Sequence, residues 1–571
     1  MPGLEKYVNH ILDTDVLVVG GGLAGCLAAV KAREQGARVI LADKGHVGRS
    51  GCSPFAAGVI NVCLPEDNLQ EWLEEIIVRG EYLADQEWVK VQLAEIYGLV
   101  MELQGWGRDY GLKVMEEDQD GRLVRRKARG NIKTLSSLIH ALPMMDTLRR
   151  KVKESGVELL ERIMVTHLVQ SGGRVAGALG IGTRTAELYY FRAGAVVLAA
   201  GGCGFKAYFI GHQNLTGEGQ YMAYRAGAEL RNLDQAMSNT TAREFDMHGL
   251  SMMVGSGGRF LNRHGEEFML RYDPQVGSRA RLTKLVIGMA REVAGGNGPV
   301  YLDLSPVSPE DRLLLRRLLP EGFRVFERMG LDPFKDPIEW MPAFEGTLIH
   351  GGGVHIDTNC ASTVPGLYGV GNVTCTPEHG TWSITGLNLA FCLVSGARAG
   401  RHAARWAQSS SCVNQNSTVV DQVAAAVAEI LEPTTRAGGV DSDRIVLDLL
   451  ANLVPYPVAY LRSAATLEGA LAQVERIRDQ DLPRVCARDP HSLVKAYEVR
   501  CMTAIAEMVL RSVLFRQESR GYVYREDFPL TDNVNWLKWV VVRRDGNQMR
   551  VSAREFPAPY LDPPCEIYPP R

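Results

Sequence analysis

The chain has 571 residues, 46% of them hydrophobic and 23% charged, with a formal net charge of −3. That length exceeds what one core organises, so several structural units are expected. The near-neutral balance excludes the basic footprint of a nucleic-acid binder or of a protein that docks on an anionic membrane.

No apolar run reaches the roughly 18 residues needed to cross a bilayer. The opening Met1-Pro-Gly-Leu-Glu-Lys-Tyr7 lacks the basic-then-apolar order of a secretory signal, so a soluble, cytoplasmic protein is expected. Eleven cysteines are scattered singly with no Cys-x-x-Cys, which argues against zinc or an iron–sulfur cluster in this chain; no metal site is expected.

The first strand signal, Asp15-Val-Leu-Val-Val19, runs straight into Gly20-Gly-Gly22-Leu23-Ala24-Gly25, a helix-like stretch follows, and the next apolar strand closes on Asp43, 23 positions after Gly20. This is a dinucleotide-binding βαβ unit. Gly20 allows the tight turn, Gly22 lets the backbone approach a pyrophosphate, Gly25 brings the helix close to the sheet, and Asp43 can accept from ribose hydroxyls.

A second apolar strand, Ala195–Leu198, runs through Ala199 and Ala200 into Gly201-Gly202. Thr216-Gly217-Glu218-Gly219 then opens a helix, and a third strand, Leu367–Val370, reaches Gly371-Asn372. The cofactor domain is therefore split into 1–235 and 351–407, around an inserted cap at 236–350 suited to closing over a substrate. A Ser/Asn-rich linker follows at 408–417. Apolar residues then recur at helical spacing, which predicts a helical domain over 418–535. The end of the chain, 536–571, reads as a hairpin turning at Asp545-Gly546 and a proline-rich extended tail. The fold class is α/β: a split Rossmann-like dinucleotide-binding domain, an α+β cap and a C-terminal helical domain.

The order of these motifs resembles the flavoprotein subunits of succinate dehydrogenase, fumarate reductase and adenylylsulfate reductase. The resemblance includes Gly258-Arg-Phe-Leu-Asn-Arg-His-Gly-Glu-Glu-Phe-Met269, Pro365-Gly-Leu-Tyr368, His379-Gly380, Glu518-Ser-Arg-Gly521 and Arg525-Glu-Asp-Phe-Pro529. It implies FAD as cofactor. It adds Lys44, Arg49, Ser50, Gly51, Asn388 and Leu389 to the cofactor-binding set, with Asn372 standing where many relatives carry an acid. Where the succinate and fumarate enzymes bond the flavin covalently through a histidine, this chain reads Arg49-Ser50-Gly51-Cys52, so non-covalent FAD is expected.

The same stretch, through to Asn61, is closest to the adenylylsulfate reductase pattern, which places Asn61 at the reactive face of the flavin. His379 matches an active-site histidine, and His350, beside a glycine turn, is a further candidate. The segment His379-Gly-Thr-Trp-Ser-Ile-Thr-Gly386 lacks the arginine with which the dicarboxylate enzymes hold a substrate carboxylate, which argues against succinate or fumarate. Two arginines compete for a catalytic position, Arg279 in Ser278-Arg279 and Arg243 in Ala242-Arg243.

The resemblance implies an FAD-dependent oxidoreductase subunit that exchanges a hydride or electrons between a small substrate and a ferredoxin-like iron–sulfur partner. Two alternatives stand beside it. One is an adenylylsulfate reductase alpha-like enzyme that forms a flavin–sulfite adduct, and the other is a non-catalytic electron-relay subunit.

Overall fold

A computed structural model describes residues 3–569 apart from 57, 208–212, 246–249, 349 and 410–416. Most of the expected linker at 408–417 therefore lies outside the described residues.

Val16, Leu17, Val18 and Val19 are all buried, as a strand covered on both faces requires. Their strand, His10–Val19, pairs in parallel with Val39–Asp43 on one side and Leu188–Leu198 on the other. Glu158–Glu161 extends the sheet beyond Val39–Asp43. The long strand Leu188–Leu198 serves two neighbours. Its first half pairs antiparallel with Arg174–Gly182, which in turn pairs with Ile163–Ser171, and its last residues pair in parallel with Leu367–Gly369. The carboxyl ends of five parallel strands thus meet at one edge, where the glycine turns gather and where open α/β sheets bind ligands.

Steric fit holds this edge together. A Cβ on Gly25 would fall 1.9 Å from the Gly20 carbonyl oxygen, and one on Gly20, which sits at φ +109°, 2.4 Å from that of Ala199. Only glycine allows this approach. The helix Leu387–Ser409 crosses the helix Leu23–Glu34 equally closely: a Cβ on Gly396 or Gly400 would lie 2.5 or 2.3 Å from the carbonyl oxygens of Ala24 and Ala28.

The cap is a four-stranded antiparallel sheet in the order Met237–Ala242, Ile338–Gly346, Val300–Asp303 and Arg259–Leu261. It has its own core, which includes Phe260, Phe268, Leu302, Phe326 and Trp340. The helices Ser442–Leu453, Ala464–Arg476 and Pro490–Phe515 begin at Asp441, Ser463 and Asp489, whose side chains take backbone N–H groups of the first turn. Pro490–Phe515 is buried on most faces and is the axis of this region.

The last segment is integrated into the body of the protein. The hairpin of Trp539–Asp545 and Gln548–Arg554 turns at Gly546 and joins Leu230–Arg231 and Gly353–Val354 in one sheet. Gln86 takes the N–H groups of Tyr560 (2.8 Å) and Leu561 (3.0 Å) and donates to the Leu561 carbonyl (2.8 Å), so the proline-rich tail is docked on the body of the protein there.

Between cap, cofactor domain and C-terminal segment lies a fully enclosed charge network. Arg516 pairs with Asp234 (2.6 Å) and Glu518 (2.6 Å), and Arg520 pairs with Glu518 (2.8 Å), all at 0% side-chain exposure. Arg281 pairs with Glu81 (2.6 Å), whose other oxygen takes the Gly521 N–H at 3.1 Å. Arg516→Met leaves buried Asp234 without its cation and Glu518 with Arg520 alone, and the expected loss is about 3–5 kcal/mol of unfolding free energy, read as a lower urea midpoint. An unchanged midpoint would show that water or rearrangement compensates.

Candidate active site

A cleft opens at the carboxyl edge of the parallel sheet. Gly20, Gly22, Leu23, Ala24, Asp43, Lys44, Ser50, Gly51, Ala200, Gly201, Glu218 and Asn372 all line it. The Asp43 carboxylate accepts from the N–H of Gly21 and of Gly45, both at 2.7 Å, so it shapes the two loops that bound the cleft. Lys44 donates to Thr216 (3.0 Å), Glu218 (2.8 Å) and Glu498 (2.9 Å). Burial opposes its charge, but Glu218 and Glu498 more than offset this and hold its pKa above the ordinary value. Lys44 thus ties the cleft floor to the long C-terminal helix.

Other expected cofactor residues act from behind the lining. Gly25 supplies the close approach of the helix. A Cβ on Gly202 would strike the Thr347 carbonyl oxygen at 1.7 Å, so Gly202 is needed where the cap meets this domain. Gly217 takes φ +84° at the start of helix Glu218–Arg225, and Leu389 packs on the main core. Asn388 has a buried Oδ1 with no partner. Arg49 lies apart from these: its side chain is half exposed and pairs with Asp146 at 2.5 Å, outside the residues that line the cleft. The next three residues, Ser50–Cys52, form the wall instead.

Beside the cleft, the segment 379–386 builds a closely packed polar cluster, a chamber of buried side chains. His379 is fully buried and stacked on Trp382, with ring centroids 4.6 Å apart at 7°. The Trp382 backbone sits at φ +152°, a region costly to a side-chain-bearing residue by about 1–3 kcal/mol. Gly80 and Gly380 fix the loop from outside, since a Cβ on either would meet the other segment's backbone within 2.6 Å. Gly521, at φ +60°, closes against Thr381 and brings Tyr522 within 6.3 Å of the His350 ring.

The Arg129 carbonyl accepts from both N–H (3.2 Å) and hydroxyl (2.8 Å) of Thr385, and the Asn61 N–H donates to the Gly386 carbonyl at 3.0 Å. Buried polar atoms with no hydrogen-bond partner concentrate here: both nitrogens of His379, the hydroxyls of Thr381, Ser383 and Tyr522, Nε and Nη1 of Arg129, and Oδ1 of Asn61. Natural interiors rarely leave such groups unmatched, and a cluster of them marks a place where a ligand belongs.

Comparison with known proteins agrees with this geometry. Residues 15–389 match the family model described as an FAD binding domain, and 449–566 match the fumarate reductase flavoprotein C-terminal model. The chain belongs to the succinate dehydrogenase/fumarate reductase flavoprotein family. It is 29% identical to one of the subunits of the CoM/CoB fumarate reductase of Methanothermobacter marburgensis, over 94% of this chain and 98% of that one. It is also 29% identical to a fumarate reductase flavoprotein subunit of Mycobacterium tuberculosis, over 93% and 95%. Its fold matches FrdA of E. coli quinol fumarate reductase with a TM-score of 0.88 at 23% identity, covering 97% and 98% of the two chains. The adenylylsulfate reductase of Archaeoglobus fulgidus matches with 0.79 at 20% identity over 96% of each, a likeness of fold alone. The affinity to adenylylsulfate reductase read from the flavin-face motif therefore stands only at the level of fold, whereas named fumarate reductases align along nearly the whole chain.

The protein is thus an FAD-dependent oxidoreductase of the fumarate reductase/succinate dehydrogenase type. No helix among the described residues is long and apolar enough to cross a membrane.

Within this family site, the expected catalytic residues divide. His379 and Asn61 are in the chamber. His350 is beside it, but Thr376 (2.8 Å) and the Thr381 carbonyl (2.9 Å) engage both its ring nitrogens, so it is a wedge behind His379. Arg279 is brought near by backbone, its carbonyl accepting from the Gly130 N–H at 3.3 Å. Arg243 lies apart: its side chain is 63% exposed and pairs with Glu339 at 2.6 Å on the surface of the cap. Sequence reasoning missed Arg129, Tyr522 and Glu378. Arg129 stands in an irregular polar stretch with no spacing that links it to residue 379, and Tyr522 follows a recognised motif without being part of it.

Burial sets the charge state of the site. It holds His379 well below the ordinary histidine range, with His350 adding to the effect, and it raises Glu378 and Tyr522 well above their ordinary values. His379 Nε2 lies 3.7 Å from Glu378, within ion-pair range but beyond a hydrogen bond. Burial thus disfavours the charged form of both partners. His350 is lowered to about 4 by burial, and His355 to about 3 by burial and by Arg231.

These buried rings make stability depend on pH. Between pH 7 and pH 5 the unfolded chain's histidines take up protons while these rings stay neutral in the fold. Stability is therefore full above pH 6.5 and falls with acidification, by up to about 1.4 kcal/mol per pH unit for each ring. Urea midpoints at the two pH values measure this, and a flat profile would show that the rings are hydrated. At the cofactor edge, Gly25→Ala should yield protein without FAD, read from the ratio of flavin to protein absorbance; full flavin content would contradict the close-approach argument.

Proposed function

We propose that this chain is the catalytic flavoprotein subunit of a larger enzyme, in which non-covalently held FAD exchanges a hydride or electrons with a small substrate enclosed beneath His379. A ferredoxin-like iron–sulfur subunit is the electron partner in this reading, which rests on the resemblance of the motifs and on relatives that are named as subunits. The observation that carries this reading is the chamber of unmatched buried polar atoms beside the dinucleotide cleft. A pure electron relay has no use for such a chamber, because desolvating these groups is costly unless a ligand completes their hydrogen bonds.

FAD, when bound, supplies the redox chemistry; the protein orients, excludes water and manages protons. A neutral His379 can donate one hydrogen bond and accept another through its two ring nitrogens, and so orient a substrate. Tyr522 keeps its hydroxyl proton and can donate to developing negative charge. Non-covalent attachment is supported by the wall at 50–52, which carries no histidine. Nearby His46 has Nδ1 bonded to Glu161 (2.8 Å) and Nε2 to Arg162 (3.0 Å).

The test is anaerobic. The FAD of the purified protein is reduced, and its absorbance near the flavin maximum is followed as fumarate, crotonate, a crotonyl thioester and adenylylsulfate are added one at a time. Reoxidation by an enoate is the expected result. Reaction with adenylylsulfate would instead favour the sulfite-adduct chemistry, and silence with all four beside rapid exchange with ferredoxin would make the chain a relay. In a parallel measurement, acid precipitation should leave all FAD in the supernatant; flavin that stays with the pellet would establish a covalent bond.

A further inference from the structure

The chamber contains a deeply buried cation without a partner among the described residues. Arg129 is 4% exposed, and its guanidinium makes no hydrogen bond or ion pair with any described residue. The acidic side chain that acts on it, Glu345, stays outside ion-pair distance and accepts from Asn239 at 3.2 Å. Burial lowers the Arg129 pKa to about 10, which still leaves it charged at neutral pH. An unpaired buried cation is strongly unfavourable unless an anion completes it.

The turn that carries Arg129 is held rigidly. Buried Glu75 accepts from three successive backbone N–H groups, those of Ile132 (2.6 Å), Lys133 (2.8 Å) and Thr134 (2.6 Å). Asn131 bonds the Ala128 N–H (3.1 Å) and the Thr134 hydroxyl (2.7 Å). A Cβ on Gly130 would touch the Ser383 carbonyl oxygen at 3.1 Å, and the Arg129 carbonyl is itself bonded to Thr385. Arg129 is therefore pre-organised against the very segment, 379–386, that has no arginine of its own.

We propose that Arg129 is the substrate anchor of this chain, its planar guanidinium receiving the carboxylate of a small organic acid whose reacting carbon lies towards His379. This rests on the reading of the chamber as the substrate site, and it restores, from a different element, the fixed cation missing after His379. A planar fork of N–H donors matches a carboxylate in two parallel hydrogen bonds, a fit that a lysine cannot reproduce. Glu75 is a positioning residue, acting through the turn.

The test uses FAD-loaded protein and binding as its readout. Wild type, Arg129→Gln and Arg129→Lys are titrated with fumarate, crotonate and sulfate, by the difference spectrum of oxidised FAD and by calorimetry. Wild type should bind at least one of the two acids more tightly than sulfate. Arg129→Gln should weaken that binding roughly 10- to 100-fold and Arg129→Lys by an intermediate factor, with FAD content retained.

Equal affinity in Arg129→Gln, or loss of FAD with carboxylate affinity unchanged in the loaded fraction, would overturn the assignment. If Arg129→Gln does not fold, Arg129→Lys decides, and wild-type affinity in that variant refutes the two-bond fit. Failure of wild type to bind either acid, while another acceptor reoxidises reduced FAD, removes the carboxylate assignment and leaves the catalytic reading intact. Carboxylate binding lost in Arg129→Gln without reoxidation by any acceptor would support the anchor and sink the catalytic reading.

Discussion

The enclosed network of Arg281, Arg516 and Arg520 with Glu81, Asp234 and Glu518 is the constraint on which the active-site wall depends. Three guanidinium groups face three carboxylates out of contact with water, so the charges compensate only while every member stays in place. Its members come from the loop after the helix Leu69–Arg79, from the edge of the cofactor domain, from the cap and from the segment after the long C-terminal helix. Parts distant in sequence are thereby held in one geometry. Gly521, between Arg520 and Tyr522, is pressed against Thr381 by this clamp, and that contact fixes the wall beside His379.

The cofactor edge follows a different physics. Its specificity is steric, made by the absence of side chains at Gly20, Gly25, Gly202, Gly396 and Gly400, where backbone meets backbone. The charged residues around it, such as Asp43 and Lys44, are largely engaged with the protein itself. The chamber contrasts with this in leaving its polar atoms open. One side of the site is thus pre-satisfied and rigid, and the other is pre-organised and unmatched, an arrangement suited to a resident cofactor beside an exchangeable small ligand.

Much of this was legible before the fold was seen. Apolar strands that run into glycines, the acid at the end of the second strand and the returning strands at 195–198 and 367–370 reflect local rules: β-branched runs for a strand covered on both faces, and glycine where φ is positive or backbones touch. Residues that act through their neighbours in sequence, such as His379 after the third strand, are found by the same reading. Arginines are not. Arg243 and Arg279 were competing candidates on motif context, yet one is an exposed partner of Glu339 and the other lies beside the turn of Gly130. A long, always-charged side chain carries no local signature of where its tip ends.

The sequence by itself determined the dinucleotide unit, the split of the cofactor domain and the family, because these rest on short-range spacing and on steric needs that a residue type states directly. Only the tertiary structure decided which cation is unpaired and which polar atoms are unmatched. Arg129, His379 and Tyr522 come from three segments far apart in sequence, and whether a buried group has a partner is a property of everything packed around it. That is the physical reason the cofactor could be read from the chain, while the unpaired state of Arg129 emerged from the fold.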